Sequence, residues 1–281
     1  MENQALDFGQ TFKKIRQQRG FKLENFEYLG ITKSALSRFE RGTNSLDIDR
    51  LYTALDAMNV PLYEYEQFLI DFTHGHFDET YQEIRQAYYA KDTQKLEKLR
   101  KSSHDYHLKL AIKGLLIEFG LEDDFTRDER DHLLELFYET DEWGIYELSI
   151  LSCVLSHFSR KRITSLLTEL GNRTINYHHI LHYRRRVVRL FLTGALGLIK
   201  LGAKDESYEA IQNARVFTHE DNFYSLQLCY FFEGMWKAKF RAGDEGLNQI
   251  RQALSIFETL GTEERTQFFR DIANRYLKKI Y

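Results

Sequence analysis

The residues whose types and spacing could do chemistry together lie between positions 30 and 45. Gly30-Ile31-Thr32 makes a polar-capped turn, and Lys33 and Ser34 open the short stretch that runs through Phe39-Glu40-Arg41-Gly42. At helical spacing Ser34, Ser37 and Arg38 fall on one side, while Ala35, Leu36 and Phe39 turn inward. Short polar side chains at the start of such a helix let it enter the major groove of double-stranded DNA, where its first residues meet base edges. Arg38 has the guanidinium that pairs with guanine. Lys33 and Arg41 flank the reader with charge suited to phosphate, and Asn44-Ser45 precede the next helix, whose free N–H groups favour anions. From Lys13 to Arg41, eight Lys/Arg face three acids, a local +5 on a chain whose formal net charge is −3. A basic patch on an acidic protein binds phosphate locally.

Other sets are weaker. Arg184, Arg185, Arg186 and Arg189 are the densest positive run. Arg185 and Arg189 share a face at i, i+4 and are suited to clamp a carboxylate; the plain alternative is a solvated helix face. His178 and His182 of HHILH have zinc spacing, but HExxH and a third ligand are absent, and His74-Gly75-His76 reads as solvated. No metal or other cofactor is expected. Cys153 and Cys229 form no CxxC and read as small buried hydrophobes, with a thiol switch as the lesser alternative. The acidic run 122–131 reads as an exposed connection and helix start. The aromatic stripe Tyr224, Tyr230, Phe231, Phe232, Trp236 and Phe240 reads mostly as core, with some rings open to a groove. No nucleophile elbow, phosphate loop or dinucleotide fingerprint is present, so an enzyme is not expected.

The elements that must hold these residues are helices. Helical periodicity runs almost end to end over 281 residues, period-2 stretches are absent, and proline occurs once, at Pro61. No run approaches the roughly 18 apolar residues of a membrane span, and the first 20 residues lack a secretory core, which points to a cytoplasmic protein without membrane contact. Phe8, Phe12 and Ile15 mark a first helix, and Leu23 and Phe26 a second. Thr32 caps a third, which Gly42 ends. Ser45 is positioned to cap a fourth, with the stripe Leu51, Leu55, Met58, and Pro61 starts a fifth. The segment 73–78 is the expected linker. Beyond it, longer helices follow one another with short connections. Ala203-Lys204-Asp205 and Ala242-Gly243-Asp244 stand 39 positions apart, as do Ala214 and Ala253, and Tyr89-Ala90-Lys91-Asp92 is a fainter third copy. A period of about 30–45 residues with two helices per unit marks a helical solenoid, although a compact bundle with one chance similarity would share it.

The first 65 or so residues resemble the lambda-repressor-like helix-turn-helix. That resemblance implies that Arg16 and Glu40 form a structural ion pair. The sequence departs from the pattern in a first turn about one residue shorter than usual and in Glu27 near a position usually held by alanine, which leaves the start of the second helix open. With the pieces Trp143-Gly144-Ile145-Tyr146-Glu147 and AKFRAGDEGLNQIRQALSIFETLG, the whole chain resembles the Rgg (Rgg/GadR/MutR) transcription regulators of Gram-positive bacteria. The resemblance implies an all-α protein. A helix-turn-helix head (1–72) and a linker (73–78) precede a right-handed, tetratricopeptide-like regulatory and dimerisation domain (79–281). It further implies a homodimer on promoter DNA that senses a short secreted peptide for quorum sensing. Trp143–Cys153, His182–Arg189 and Tyr224–Trp236 fall in the first-helix position of successive repeats, which lines the inner face of such arrays. Trp143, Tyr146, Cys153, Arg185, Arg189, Tyr230 and Trp236 are therefore the candidate peptide residues, and the C-terminal helices near Phe257, Leu260, Phe268 and Phe269 the expected dimer contact. Two rival readings are a DNA-binding regulator whose repeats only dimerise or hold a protein partner, and a scaffold whose head has lost DNA binding. The intact Lys33, Ser34, Ser37, Arg38 and Arg41 argue against the scaffold.

Overall fold

The computed structural model describes residues 7–69, 76–174, 180–219, 222–260 and 263–277, and among these the regular secondary structure is all helix. His178 and His179 lie outside the described residues, as do positions 73–75 of the expected linker, whereas 76–78 form the first turn of a helix. By contact density the chain divides into two compact units, residues 1–80 and 81–281.

The first unit builds its core around Phe12. Helix α1 (Phe8–Gln18) is capped by Asp7, whose carboxylate accepts from Gln10 N at 2.9 Å. It buries Phe12 and Ile15 but leaves Phe8 on the surface, because Phe8 sits in the first turn and contributes its carbonyl to Tyr65 Oη at 2.6 Å. The ring of Phe12 lies 5.9 Å from Phe26 and 5.8 Å from Phe39, distances at which aromatic pairs attract. The second element is a 3-10 segment, Leu23–Leu29, which ends at Gly30 with φ of 74°. Helix α2 (Lys33–Glu40) starts at Thr32, whose Oγ1 accepts from Ala35 N at 3.2 Å. Gly9 is required where α1 meets α2, since a Cβ there would come within 1.9 Å of the Phe39 carbonyl oxygen. The cap of α3 (Ile48–Ala57) is Asp47, not Ser45: after Gly42 the chain stays irregular until position 47. Pro61 immediately precedes α4 (Leu62–Leu69), which buries Tyr65.

The second unit comprises α5 (His76–Tyr89) from Tyr81 onward, α6 (Thr93–Ser102), α7 (Tyr106–Glu118), α8 (Arg127–Glu139), α9 (Ile145–Val154) and α10 (Arg160–Arg173), then α11 (Leu181–Lys200), α12 (Lys204–Val216), α13 (Phe223–Phe240), α14 (Glu245–Leu260) and α15 (Glu263–Leu277). The odd-numbered helices pack on one another in series, α7 on α9, α9 on α11, α11 on α13 and α13 on α15, while α12 and α14 pair with the odd helices beside them. This is the layering of a two-helix repeat. The 39-residue similarity marks corresponding points, because α12 begins within the first copy, at Lys204, α14 begins just past the second, at Glu245, and Ala214 and Ala253 are both fully buried. Helices α13 and α14 approach so closely that a Cβ on Gly246 would lie 2.2 Å from Ala238 N. Among the described residues no helix is long and apolar enough to cross a membrane.

Candidate nucleic-acid interface and the cleft of the repeat domain

In the head, burial of Leu36 and Phe39 orients α2 and leaves the opposite side open. Lys33, Ser34 and Arg38 are exposed, and Ser37 is half-buried. Arg38 has no side-chain partner among the described residues, so its guanidinium is available. Its carbonyl accepts from Thr43 N at 3.0 Å and from Thr43 Oγ1 at 3.1 Å, which fixes the turn after the helix. Arg41 Nε donates to the Ser37 carbonyl at 3.2 Å. Lys33 pairs with Glu24, and that hydrogen bond raises the ammonium pKa and lowers that of the carboxyl. Asn44 and Ser45 are exposed, but the helix they precede starts with Asp47 and Asp49, whose charges oppose a phosphate there. Behind the reader helix, Arg16 Nε donates to Glu40 Oε1 at 2.5 Å and a terminal nitrogen donates to Oε2 at 2.9 Å. Both side chains are buried, and Arg16 also donates to the Phe21 carbonyl at 2.7 Å. This pair holds α1 to the end of α2.

In the second unit the odd helices line one cleft. Tyr81, Arg85, Tyr88 and Tyr89 come from α5, Glu118 from α7, and Ser152 and Cys153 from α9. Arg186, Arg189, Leu192 and Leu196 come from α11, Tyr224, Leu228 and Phe232 from α13, and Phe268, Ile272 and Arg275 from α15. Five cations, Arg85, Lys91, Arg186, Arg189 and Arg275, face two carboxylates, Glu118 and Asp271. Burial pushes the Tyr81 hydroxyl and the Cys153 thiol each up to about 12 and the Tyr88 hydroxyl well above its ordinary value, with the Glu118 carboxylate adding to the last. The Cys153 thiol stays protonated at neutral pH and is a poor nucleophile, which disfavours a redox role.

The first-helix positions named from the sequence, α9, α11 and α13, all line this cleft, but most of the individual residues do not. Cys153 and Arg189 are in its wall. Trp143 is fully buried, with Nε1 donating to the Phe137 carbonyl at 3.0 Å. Trp236 is buried against α12, donating to the Lys204 carbonyl at 2.9 Å. Tyr146 Oη donates to Asp105 Oδ1 at 3.0 Å, and burial, then that carboxylate, raise its pKa. Tyr230 hydrogen-bonds Gln252 at 2.6 Å and lines a different groove. Arg185 is exposed outside the cleft, and its neighbour Arg186 is the one that enters. Sequence reasoning passed over α5 altogether. Its signal was there: an arginine set among tyrosines at positions 81, 85, 88 and 89, all on one helical face. The residues expected at a dimer contact also divide. Phe257 and Phe269 stack on each other in the core at 4.8 Å, Phe268 lines the cleft, and Leu260 alone is exposed.

Residues 79–271 match the family model described as the C-terminal domain of the HTH-type transcriptional regulator Rgg, and residues 12–65 match that of the helix-turn-helix. The HTH-type transcriptional regulator SutR of Escherichia coli K12 is 25% identical over 191 residues, covering 66% of this chain and 99% of that protein. The SHP pheromone receptor Rgg2 of Streptococcus dysgalactiae, solved in a cysteine-to-serine form, superposes with a TM-score of 0.79 at 23% identity, over 97% of this chain and 99% of the other. A bacterial peptide pheromone–receptor complex superposes with a TM-score of 0.69 at 14% identity, over 96% and 98% of the respective chains. The two family matches fall on the two units in turn, and the larger covers well over half of the chain, so this protein belongs to the Rgg family of HTH-type transcriptional regulators and is not an enzyme.

Proposed function

We propose that the chain binds promoter DNA as a homodimer, with α2 in the major groove, and that its repeat domain senses a short signalling peptide in the cleft lined by α5, α7, α9, α11, α13 and α15. The observation that carries the sensing half is the cleft itself, which joins apolar and aromatic area to a surplus of guanidinium groups. A regulator whose repeats only dimerise has no use for such a lining. The pheromone receptors of the same fold support this reading. Transcript profiling of a deletion strain, with and without conditioned culture medium, tests both halves. A regulon unchanged by the medium would favour the reading in which the repeats only dimerise.

For DNA, the available guanidinium of Arg38 and the exposed Lys33 separate two roles. Arg38→Ala is expected to cost about 1–3 kcal/mol of operator affinity and to relax preference at one base pair. Lys33→Ala is expected to weaken operator and random DNA about equally and to flatten the salt dependence by roughly one ion. Gel shifts of both variants on both DNAs over a salt series make the comparison, and swapped phenotypes would reverse the two assignments.

For assembly, one small head contacts too few base pairs for a genome search, whereas a dimer reads two half-sites. Phe223 and Leu260 are 78% and 82% exposed, and Leu226 and Ile256 lie beside them on the groove between α13 and α14. An exposed apolar patch of this kind marks an interface. Light scattering of the full chain is expected to report about twice its 33.5 kDa. The double substitution Phe223→Glu, Leu260→Glu is expected to yield the single-chain mass. A dimer that survives it places the contact elsewhere.

A further inference from the structure

One cation of the reader helix is already engaged by the protein itself. Three exposed cations, Lys33, Arg38 and Arg41, lie on α2 or at its C-terminal end. Arg38 and Arg41 have no carboxylate partner among the described residues. Lys33 has one, since its ammonium donates to Glu24 Oε1, nine positions earlier. Glu24 is held in place by its own element. The 3-10 segment is pinned to the core by Phe26, which is fully buried between Phe12 and Phe21. Its start is closed by Asn25 Oδ1, which accepts from Lys22 N at 2.6 Å. Thr32 fixes the first turn of α2, and with it the root of Lys33. The Glu27 carboxylate lies near enough to add to the negative field on the same ammonium.

The two side chains of the pair are 57% and 50% exposed, and an ion pair so open to water adds little to stability. Its consequence lies in binding. Lys33 stands at the start of the helix assigned to the major groove, where a lysine meets the phosphate backbone. A phosphate and the Glu24 carboxylate are alternative partners for one ammonium. An unpaired lysine gains its phosphate by releasing a counterion from the DNA. Lys33 must first give up Glu24, and that carboxylate is then left unpaired near the backbone with Glu27 beside it. The exchange involves no base, so it weakens operator and random DNA alike. Random sites outnumber operators by many orders of magnitude, so a lower general attraction leaves more of the regulator unbound. Arg38, which has no such competitor, remains available for a base.

We propose that Glu24 competes with the DNA backbone for Lys33 and thereby limits how tightly the head holds DNA of any sequence. This rests on the DNA-binding half of the proposed function and adds to it a residue that restrains affinity.

The test uses the full chain and a short random-sequence duplex, because phosphate contacts need no operator. Binding is read by fluorescence anisotropy of the labelled duplex over a salt series. Glu24→Gln keeps the shape of the side chain and removes its charge. It is expected to tighten binding about two- to fivefold at low salt, the strength of an exposed pair. The gain is expected to shrink as added salt screens the charges. In a Lys33→Ala background the same substitution is expected to lose most of its gain, because the contested ammonium is gone. Glu27→Gln leaves the Lys33–Glu24 pair intact and is expected to give the smaller gain of the two. Unchanged or weaker binding by Glu24→Gln overturns the assignment, and weaker binding would make Glu24 a residue that aims Lys33 at the phosphate. A gain that persists in full without Lys33, or that Glu27→Gln equals, also overturns it, since the effect would then belong to acidic charge in general. Hydrogen exchange across α1 and α2 is expected to stay at the wild-type rate in Glu24→Gln, and a rise would make the pair structural and overturn the assignment as well. If the wild type binds no duplex even at low salt, the DNA-binding reading itself falls and takes the competition with it.

Discussion

Glu40→Ala is expected to destabilise the DNA-binding head by about 3–5 kcal/mol, because it strands the buried charge of Arg16. Arg16 and Glu40 are 7% and 4% exposed and joined by two hydrogen bonds. With Glu40 truncated, the guanidinium keeps the Phe21 carbonyl and no anion. A small domain has about 5–15 kcal/mol of stability in all, so the loss consumes much of it. Both tryptophans, Trp143 and Trp236, lie in the second unit, so their fluorescence does not follow the head. Hydrogen exchange of residues 8–69 does, and in this variant it is expected to rise across α1 and α2 together. Operator binding is expected to fall with it, although Glu40 is buried and faces no DNA. The double variant Arg16→Met, Glu40→Leu separates charge from shape: a buried pair replaced by apolar residues of similar volume is often neutral or stabilising. If the double variant is as unstable as the single one, the pair contributes through its hydrogen-bond geometry and the stranded-charge account fails.

How far the site was legible depends on how local its determinants are. The head is written in short-range rules: a threonine two residues after Gly30 caps α2, Gly42 closes it, and the inward face is set by Leu36 and Phe39. The fixed spacing from Arg16 to Glu40 then implies one packing. Ser45 was misleading because several capping residue types cluster before α3, and the helix starts only after Asp47, whose side chain makes no capping hydrogen bond. In the repeat domain the sequence identifies α9, α11 and α13 as inner helices, because strict alternation along a two-helix repeat is visible from the period. It does not identify which of their residues face the cleft. Helices α9 and α13 pack on both sides and bury residues all round their circumference, so no apolar stripe sets their phase. Shifting a helix by one residue turns it by about 100°. That is the distance between Arg185, on the surface, and Arg186, in the cleft. The contribution of α15 was hidden for a different reason: its cleft residues meet α5 only through the closed tertiary structure, with Phe268 set against Tyr88 and Tyr89 at 5.3 and 4.8 Å.

The same loss of phase makes Trp143 the residue most easily misjudged from sequence, and its replacement the second large effect. Trp143→Ala is expected to destabilise the repeat domain by about 3–5 kcal/mol, the usual range for deleting a buried aromatic side chain. The indole is 0% exposed, its ring centre lies 5.9 Å from that of Phe137, and the Arg173 guanidinium sits 5.8 Å from it. Its Nε1 is the donor to the Phe137 carbonyl at the end of α8, so truncation opens a cavity and also leaves that buried acceptor without its partner. Trp143→Phe fills most of the cavity but not the hydrogen bond, and is expected to cost about 1–3 kcal/mol. Chemical denaturation followed by far-ultraviolet circular dichroism measures both variants, since each retains Trp236 but changes the fluorescence baseline. On the proposed peptide-sensing reading, the response is expected to disappear in Trp143→Ala only at temperatures where the repeat domain is melting, and to persist in Trp143→Phe below them. A ligand-contact residue would behave differently: Trp143→Ala would lose the response at every temperature while its denaturation midpoint stayed within about 0.5 kcal/mol of the wild type. Two residues before α9, the tryptophan ties the start of that helix to α8 through the Phe137 carbonyl, and α9 carries Ser152 and Cys153 into the cleft.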